Sequence, residues 1–165
     1  MSDDDRVFVG SLVLTIILCL VVVYFYGWDY PPRCEESPNA VLIQAGRDLK
    51  VKSLMTGKQN AFLQQAAEEH AAYQARVKVQ GHQGFEKRVA KLRQQLPDYS
   101  EFSECAAESW PGQNIEDAAK EMFHSWRQSP GHWSCINGKC DLYGYAMARG
   151  KNGTWYACAI FAKAR

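Results

Sequence analysis

The sequence predicts an α+β domain, an antiparallel sheet covered by helices, carried behind one N-terminal membrane-spanning segment. Three observations predict it. Val7 to Tyr26 (VFVGSLVLTIILCLVVVYFY) contains no charged residue and matches the roughly 20 apolar residues that cross hydrocarbon as a helix. Between Ala40 and Trp126, apolar residues recur at helical spacing in four stretches. The C-terminal part then switches to alternating, glycine-bounded segments rich in aromatic residues, which is strand patterning.

Residues 1–6 form an acidic leader and residues 7–28 the membrane anchor, with Tyr24, Tyr26, Trp28 and Tyr30 clustered where amphipathic rings mark the interface with water. A cleaved signal peptide is the competing reading. Its apolar core is typically only ~7–15 residues and its leading segment is positive, whereas this chain starts Ser2-Asp3-Asp4-Asp5. Arg6 stands on one side of the span and Arg33 on the other, so the bias of Lys and Arg towards the cytoplasm gives no orientation. Residues 29–38, with Pro31, Pro32 and Pro38, read as a short stiff tether. Residues 39–165 then make one domain with a real core. With 19 Lys and Arg against 18 Asp and Glu and no basic run, nucleic acid is excluded as a partner, because its phosphates need a clustered positive footprint.

In that domain Ser37-Pro38 reads as an N-cap followed by proline at the first helical position, opening a helix over Ala40 to Met55 that breaks at Thr56-Gly57. A second helix is predicted from Lys58 to Gln80, with Phe62, Ala66, His70, Tyr73 and Val77 recurring along it. His70 in that stripe reads as a hydrogen-bonded core residue, with metal ligation the alternative. Phe85, Val89, Leu92 and Leu96 mark a third helix stopped by Pro97. Asn114 caps a fourth that presents Ile115, Ala119, Met122 and Trp126 on one side. His124, beside Phe123, reads as a surface residue. The strands are Phe102 to Glu108, Asp141 to Arg149 and Thr154 to Lys163, the last two joined through Gly150-Lys151-Asn152-Gly153. Trp133, Tyr143, Tyr145, Trp155 and Tyr156 are expected in the core or on a sheet face, burial being the better account than a stacking platform for bases.

Of the six cysteines, Cys19 lies in the span, leaving Cys34, Cys105, Cys135, Cys140 and Cys158. That density points to disulfides and an oxidising compartment, hence a type II orientation with the domain outside the cytoplasm. Cys135 and Cys140 bracket Ile136-Asn137-Gly138-Lys139, and Asn-Gly favours a tight hairpin, so these two are expected to be bridged. A zinc knuckle would need a second pair at suitable spacing, which the sequence lacks. Cys105 and Cys158, on neighbouring predicted strands, are the next pair, with Cys34 competing for either. Asn152-Gly153-Thr154 is a glycosylation sequon on a turn.

The order of Ala107-Glu108-Ser109, a helix ending at Trp126, Ser129-Pro130-Gly131-His132 and a terminal hairpin closing on Trp155 to Ala162 resembles the CAP superfamily (cysteine-rich secretory, antigen 5 and pathogenesis-related 1 proteins; the SCP-like domain). The likeness is greatest to its short bacterial-type branch, in which Gly-Glu-Asn, a helix with a late Trp and Ser-Pro-Gly-His precede a hairpin. It runs from about Asn39 to Phe161 and is strongest after Glu108. The resemblance implies a three-layer α/β/α sandwich and a central cleft lined by His82, Glu108 and His132. Two neutral imidazoles with a carboxylate and water form an open shell suited to a divalent metal, Zn²⁺ being the cofactor considered. Glu108 would be the candidate catalytic base.

The departures from the family pattern matter equally. Gly-Glu-Asn appears as Ala107-Glu108-Ser109, the second glutamate of larger members falls near Ser129, and Glu121 stands about one turn too early to replace it. No complete acid/base pair is evident. A nucleophile elbow, a His-Glu-x-x-His helix and a phosphate-binding glycine loop are also missing. The trio therefore reads as a hydrogen-bonded network, a reversible metal site or a catalytic site, in that order. The expected function is a membrane-anchored, non-enzymatic binding or interaction module outside the cytoplasm, held in the bilayer by residues 7–28, with protein, lipid or sterol as partner classes. A metal-dependent hydrolase-like enzyme and a structural subunit of a larger membrane or viral assembly are the alternatives.

Overall fold

A computed structural model describes residues 36–165. The anchor, the leader, Cys34 and most of the tether lie outside these residues, and no helix among the described residues is long and apolar enough to cross a membrane. The chain first forms helix α1 (Pro38–Asp48), where the Ser37 hydroxyl accepts the Ala40 amide at 3.2 Å and Pro38 occupies the first turn. The single helix expected through Met55 is instead two. Lys50 turns to a left-handed φ of 53°, and α2 (Lys52–Thr56) restarts from Val51, whose fully buried side chain directs the turn inward.

The helix expected from Lys58 starts later, as α3 (Ala61–Val77). Asn60 caps it by accepting the Phe62 and Leu63 amides at 2.9 and 3.2 Å, which frees Lys58–Gln59 to form the short strand β1. Helix α4 (Phe85–Gln95), strand β2 (Tyr99–Glu108), helices α5 (Ile115–Gln128) and α6 (Pro130–Ile136), and strands β3 (Leu142–Arg149) and β4 (Trp155–Ala164) complete the order.

The four strands lie in the order β1-β3-β4-β2. β4 is antiparallel to both β3 and β2, but β1 runs parallel to β3, so the sheet is mixed where the sequence predicts an antiparallel one. Two residues of β-pairing on an edge carry too little patterning to be read in advance. Alternation along β2, β3 and β4 sends Cys105, Tyr143, Tyr145, Met147, Ala157, Ala159 and Phe161 to one face, where they pack with Leu42, Met122, Phe123, Trp126 and Ile136. The other face turns Ala146, Cys158, Ile160 and Ala162 towards Leu63, Ala67, Ala71 and Leu92. Helices thus cover both faces of the sheet.

Beyond β1 the outer edge of β3 is closed by side chains. Gln64 donates to Tyr145 O at 2.9 Å and accepts its amide at 3.2 Å, and Asn39 accepts the Met147 amide at 2.9 Å, so edge groups that would otherwise seek another strand are satisfied. This closure needs α3 very near β3, and Gly144 provides the room. A Cβ there would stand 2.4 Å from the Leu63 carbonyl carbon and 2.5 Å from the Gln64 nitrogen, both rigid backbone. Gly144→Ala should therefore separate α3 from the sheet and lower the denaturation midpoint well beyond the effect of an exposed change such as Ala90→Gly, as measured by urea unfolding.

Candidate functional site

His82 sits in the loop between α3 and α4, and three side chains hold that loop over β2. Gln74, fully buried, accepts the Gly81 amide at 3.0 Å while donating to Ala157 O at 3.3 Å. His70 bonds Gly81 O through Nε2 at 2.7 Å, and Gln80 donates to Ala106 O at 3.1 Å. The loop re-enters the helix at Gly84, whose φ of 74° favours glycine. His132 arrives from the opposite side, in the first turn of α6. Helix α5 fixes that approach, because Trp126, fully buried, donates its indole N–H to Ala106 O at 3.1 Å and Pro130 starts α6 two residues after α5 ends.

The two imidazoles meet with Nε2 to Nε2 at 3.4 Å and ring centres 5.6 Å apart. The carboxylate beside them is Glu104. Its Oε1 lies 3.0 Å from His82 Nδ1, and its two oxygens receive Arg88 at 2.8 and 2.9 Å. His70 Nε2 stands 3.7 Å from Oε1. The Glu104 side chain is 1% exposed, so a buried charge is matched by a bidentate guanidinium, the geometry that best repays its desolvation.

Glu108, the carboxylate expected in the cleft, does not join this group. It lies on the same face of β2 as Glu104 but four residues on, about 13 Å along an extended strand. There it is exposed and lines a separate cleft of about 500 Å³ with Lys78, Trp110 and Tyr156. Arg88 and Glu104 are the members the sequence reading missed. A glutamate at an inward position in the middle of a strand was the available signal.

His82 donates its Nδ1 hydrogen to Glu104, an acceptor, which leaves Nε2 with a free lone pair directed at His132. Burial holds the His132 pKa below the usual 6.5, with the nearby His82 acting in the same direction. His70, 2% exposed, is lowered chiefly by burial too, against the opposing pull of the Gly81 carbonyl and Glu104. Its Nδ1 has no hydrogen-bond partner, so protonation would strand an N–H in the core.

In the unfolded chain both groups titrate near 6.5, so that state takes up protons first. This part of the stability is complete above about pH 6.5 and is lost as pH falls through the lower folded values. Urea midpoints should fall between about pH 7.5 and pH 5, and His70→Gln should flatten part of that slope. An equal slope in the variant would remove His70 from the account.

The cysteines are arranged otherwise than expected. Cys105, Cys135, Cys140 and Cys158 are all free thiols. Cys105 and Cys158 cannot pair across the strands: Cys105 is in register with Ala159 and Cys158 with Ala106, so they project to opposite faces of the sheet. Nor do Cys135 and Cys140 close a hairpin. Asn137-Gly138 ends helix α6, where Asn137 accepts the Lys52 amide at 3.2 Å, and Cys140 turns into the core to donate to Ser53 O at 3.6 Å. Its pKa is pushed up to about 11, mainly by burial.

Asn152 is exposed on the β3–β4 turn and donates to the Tyr156 hydroxyl at 3.0 Å. His124 is exposed and bonds Gln128 at 2.7 Å. Tyr143, Tyr145, Trp155 and Tyr156 are buried, and Trp133 packs half-buried against the core.

No protein-family model matches this sequence, and no curated protein matches it. Solved structures do. An outer surface protein from Borrelia burgdorferi superposes with a TM-score of 0.55 at 16% identity, over 75% of this chain and 87% of that one. The fold is CAP-like. Two others align at TM-scores of 0.48. BmVAL-1 is 17% identical over 82% of this chain and 81% of its own, and NaASP2, solved with Zn²⁺, is 12% identical over 84% and 88%. The CAP-like fold accounts for a meeting of His82 and His132 across fifty positions of sequence, because β2 lies between the elements that carry them.

Among the described residues, no three or more His, Cys, Asp or Glu side chains converge as a metal-holding group. The CAP-like cleft therefore offers two imidazoles and solvent. That donor set still fits a tetrahedral cation: bonds of about 2.0–2.1 Å at the tetrahedral angle put two ligand nitrogens roughly 3.3–3.4 Å apart. Glu104 holding His82 Nδ1 is the outer-shell contact that fixes the ligating tautomer.

Proposed function

We propose that this chain is a membrane-tethered, extracytoplasmic CAP-like binding module whose His82–His132 pair takes up a divalent cation reversibly. The observation that carries the site is the 3.4 Å separation of the two Nε2 atoms, with one ring clamped by a buried carboxylate. Two protein ligands leave the remaining coordination positions to water or to a donor group on a partner, so binding is weak and exchangeable.

Binding is favoured over catalysis because the one carboxylate at the site is committed. Both Glu104 oxygens are engaged by Arg88 and one also by His82, and the side chain is closed to solvent. Three of its four lone pairs are taken, and the fourth is buried away from any water above the imidazoles, so it is not placed to take a proton there. Acid should weaken the cation site as His132 protonates. For His132 that competition begins below the usual 6.5, because burial already favours its neutral form.

Calorimetric titration of Zn²⁺ into the full chain in detergent micelles tests this. His82→Ala with His132→Ala should abolish the heat of binding while leaving the circular dichroism spectrum unchanged. Unchanged affinity would remove the pair as the site.

The extracytoplasmic placement rests on the charge-free segment 7–26 and the cysteine-rich domain after it. An outer-surface protein among the structures with this fold agrees with it. Protease added to sealed source membranes should digest the domain after about Trp28 and spare the anchor with its leader. A protected domain would refute the placement.

A further inference from the structure

We propose that the open edge of β2 is a docking site for an extended acidic peptide, which adds to the sheet as a short strand beside Phe102. Unlike the edge of β3, this one is closed only in part. Successive residues of an antiparallel strand direct their N–H and C=O groups alternately towards the partner strand and away from it. Ala106 O is taken by the side chains of Gln80 and Trp126, which places the Ala106 backbone groups on the side away from β4. By alternation, the N–H and C=O of Phe102 and Glu104 point the same way. The register agrees, because Ala162, opposite Phe102, gives its carbonyl to the Asp141 amide at 3.0 Å, on the β3 side. Among the described residues, no group bonds the Phe102 or Glu104 amide or carbonyl.

A cleft of about 460 Å³ opens at this edge. Its walls come from both faces of the sheet. Arg93 belongs to α4, which packs on one face, while Ser134 and Lys139 belong to α6 and the turn after it, on the other. Ser100 to Ser103 run between them, about 10 Å of strand and enough for three or four added residues.

So short an edge needs help from side chains, and the charge of the cleft says which. Arg93, Lys139 and Lys163 line it against one carboxylate, Glu101. Glu101 lies 3.8 Å from Lys163, whereas Arg93 and Lys139 have no carboxylate within ion-pair distance among the described residues. Both are exposed and free to turn towards an incoming acid. Side chains alternate across a strand, so two adjacent acidic residues of the peptide would meet Arg93 on one face and Lys139 on the other. Main-chain pairing provides affinity open to any extended segment, and the cations select the acidic one. The same charges disfavour a second copy of this chain, because edge-to-edge pairing would bring two sets of cations into one cleft. Neither the cation at His82 and His132 nor the membrane anchor enters this account, so it stands or falls apart from them.

The test is proton–nitrogen NMR of the isotope-labelled full chain in micelles, titrated to millimolar concentration with the end-blocked peptide Thr-Val-Glu-Asp-Val-Thr. Two comparison peptides carry lysine at both acidic positions, or N-methyl groups on the four central residues. The acidic peptide should shift the Phe102 and Glu104 amide signals, and neither comparison peptide should. Arg93→Glu with Lys139→Glu should weaken binding roughly tenfold or more, as should a rise in salt in the same direction. If that variant fails to fold, the three peptides on the unaltered chain decide alone. An equal response to the lysine peptide would remove the charge selection, and binding of the N-methylated peptide would show that charge alone holds it, without an added strand. No shift at millimolar acidic peptide, or unchanged affinity in the folded double variant, would also overturn the proposal. So would shifts of these amides that follow protein concentration without peptide, which would assign the edge to a second copy.

Discussion

Replacing Glu104 by alanine should cost the domain about 3–5 kcal/mol, because it removes one partner of a buried ion pair and leaves the other charge uncompensated. Glu104 is 1% exposed and Arg88 16%, so the guanidinium has limited access to water, and a value near the lower end is expected. The loss has a second part. Without Glu104 nothing holds the His82 Nδ1 hydrogen, and a freed ring samples orientations that do not face His132. Zn²⁺ affinity should fall roughly 10–100-fold in whatever fraction stays folded.

Glu104→Gln keeps the shape and one acceptor oxygen, so it should be less destabilising while still weakening the cation site. Urea unfolding of the three proteins at neutral pH, with m-values compared, checks the order. Equal stability of Glu104→Ala and the parent would show that the buried pair is balanced by its own desolvation.

Trp126→Ala should be of similar size, about 3–5 kcal/mol, through loss of a large buried side chain and the cavity it leaves. Trp126 is fully buried and meets Phe123 edge-on with ring centres 5.2 Å apart, and Tyr145 at 6.3 Å. Its indole N–H also donates to Ala106 O on β2, which would keep only the Gln80 side chain as a donor, so alanine adds the loss of a buried hydrogen bond to the cavity. Trp126→Phe refills most of the volume but not the hydrogen bond, and the gap between the two variants measures the packing share. Because this residue seats α5 just before α6, the alanine variant should also displace His132. Cation binding should weaken in it even under conditions where the protein is still folded.

The helices and the main strands were legible because their signals are local. Ser37 and Asn114 cap the helices they were read to cap, and the β3–β4 hairpin falls where alternation and glycine place it. The same applies to the CAP-like order of elements after Glu108. What escaped depends on tertiary context. Lys58 and Gln59 have the composition of a helix start, yet pair with Leu142 and Tyr143 because Asn60 postpones the helix.

Asn137-Gly138 has hairpin chemistry, but the preceding Pro130 nucleates α6 and the dipeptide ends that helix instead. The site failed in an equally physical way. Glu108 matched the family motif, whereas the loop pinned by His70, Gln74 and Gln80 delivers His82 four residues earlier along β2, to Glu104. No spacing rule reports where a loop held by two buried side chains will touch a strand.

The most direct measurement of the central claim is long-range proton–nitrogen NMR of the histidine side chains in the full chain, taken with and without Zn²⁺. Before metal, His82 should appear as the Nδ1-protonated tautomer. On titration, the Nε2 resonances of His82 and His132 should move together to ligated values, with His70 and His124 unmoved. A shift confined to His124, or no imidazole shift at saturating Zn²⁺, would contradict the account of this cleft as the cation site.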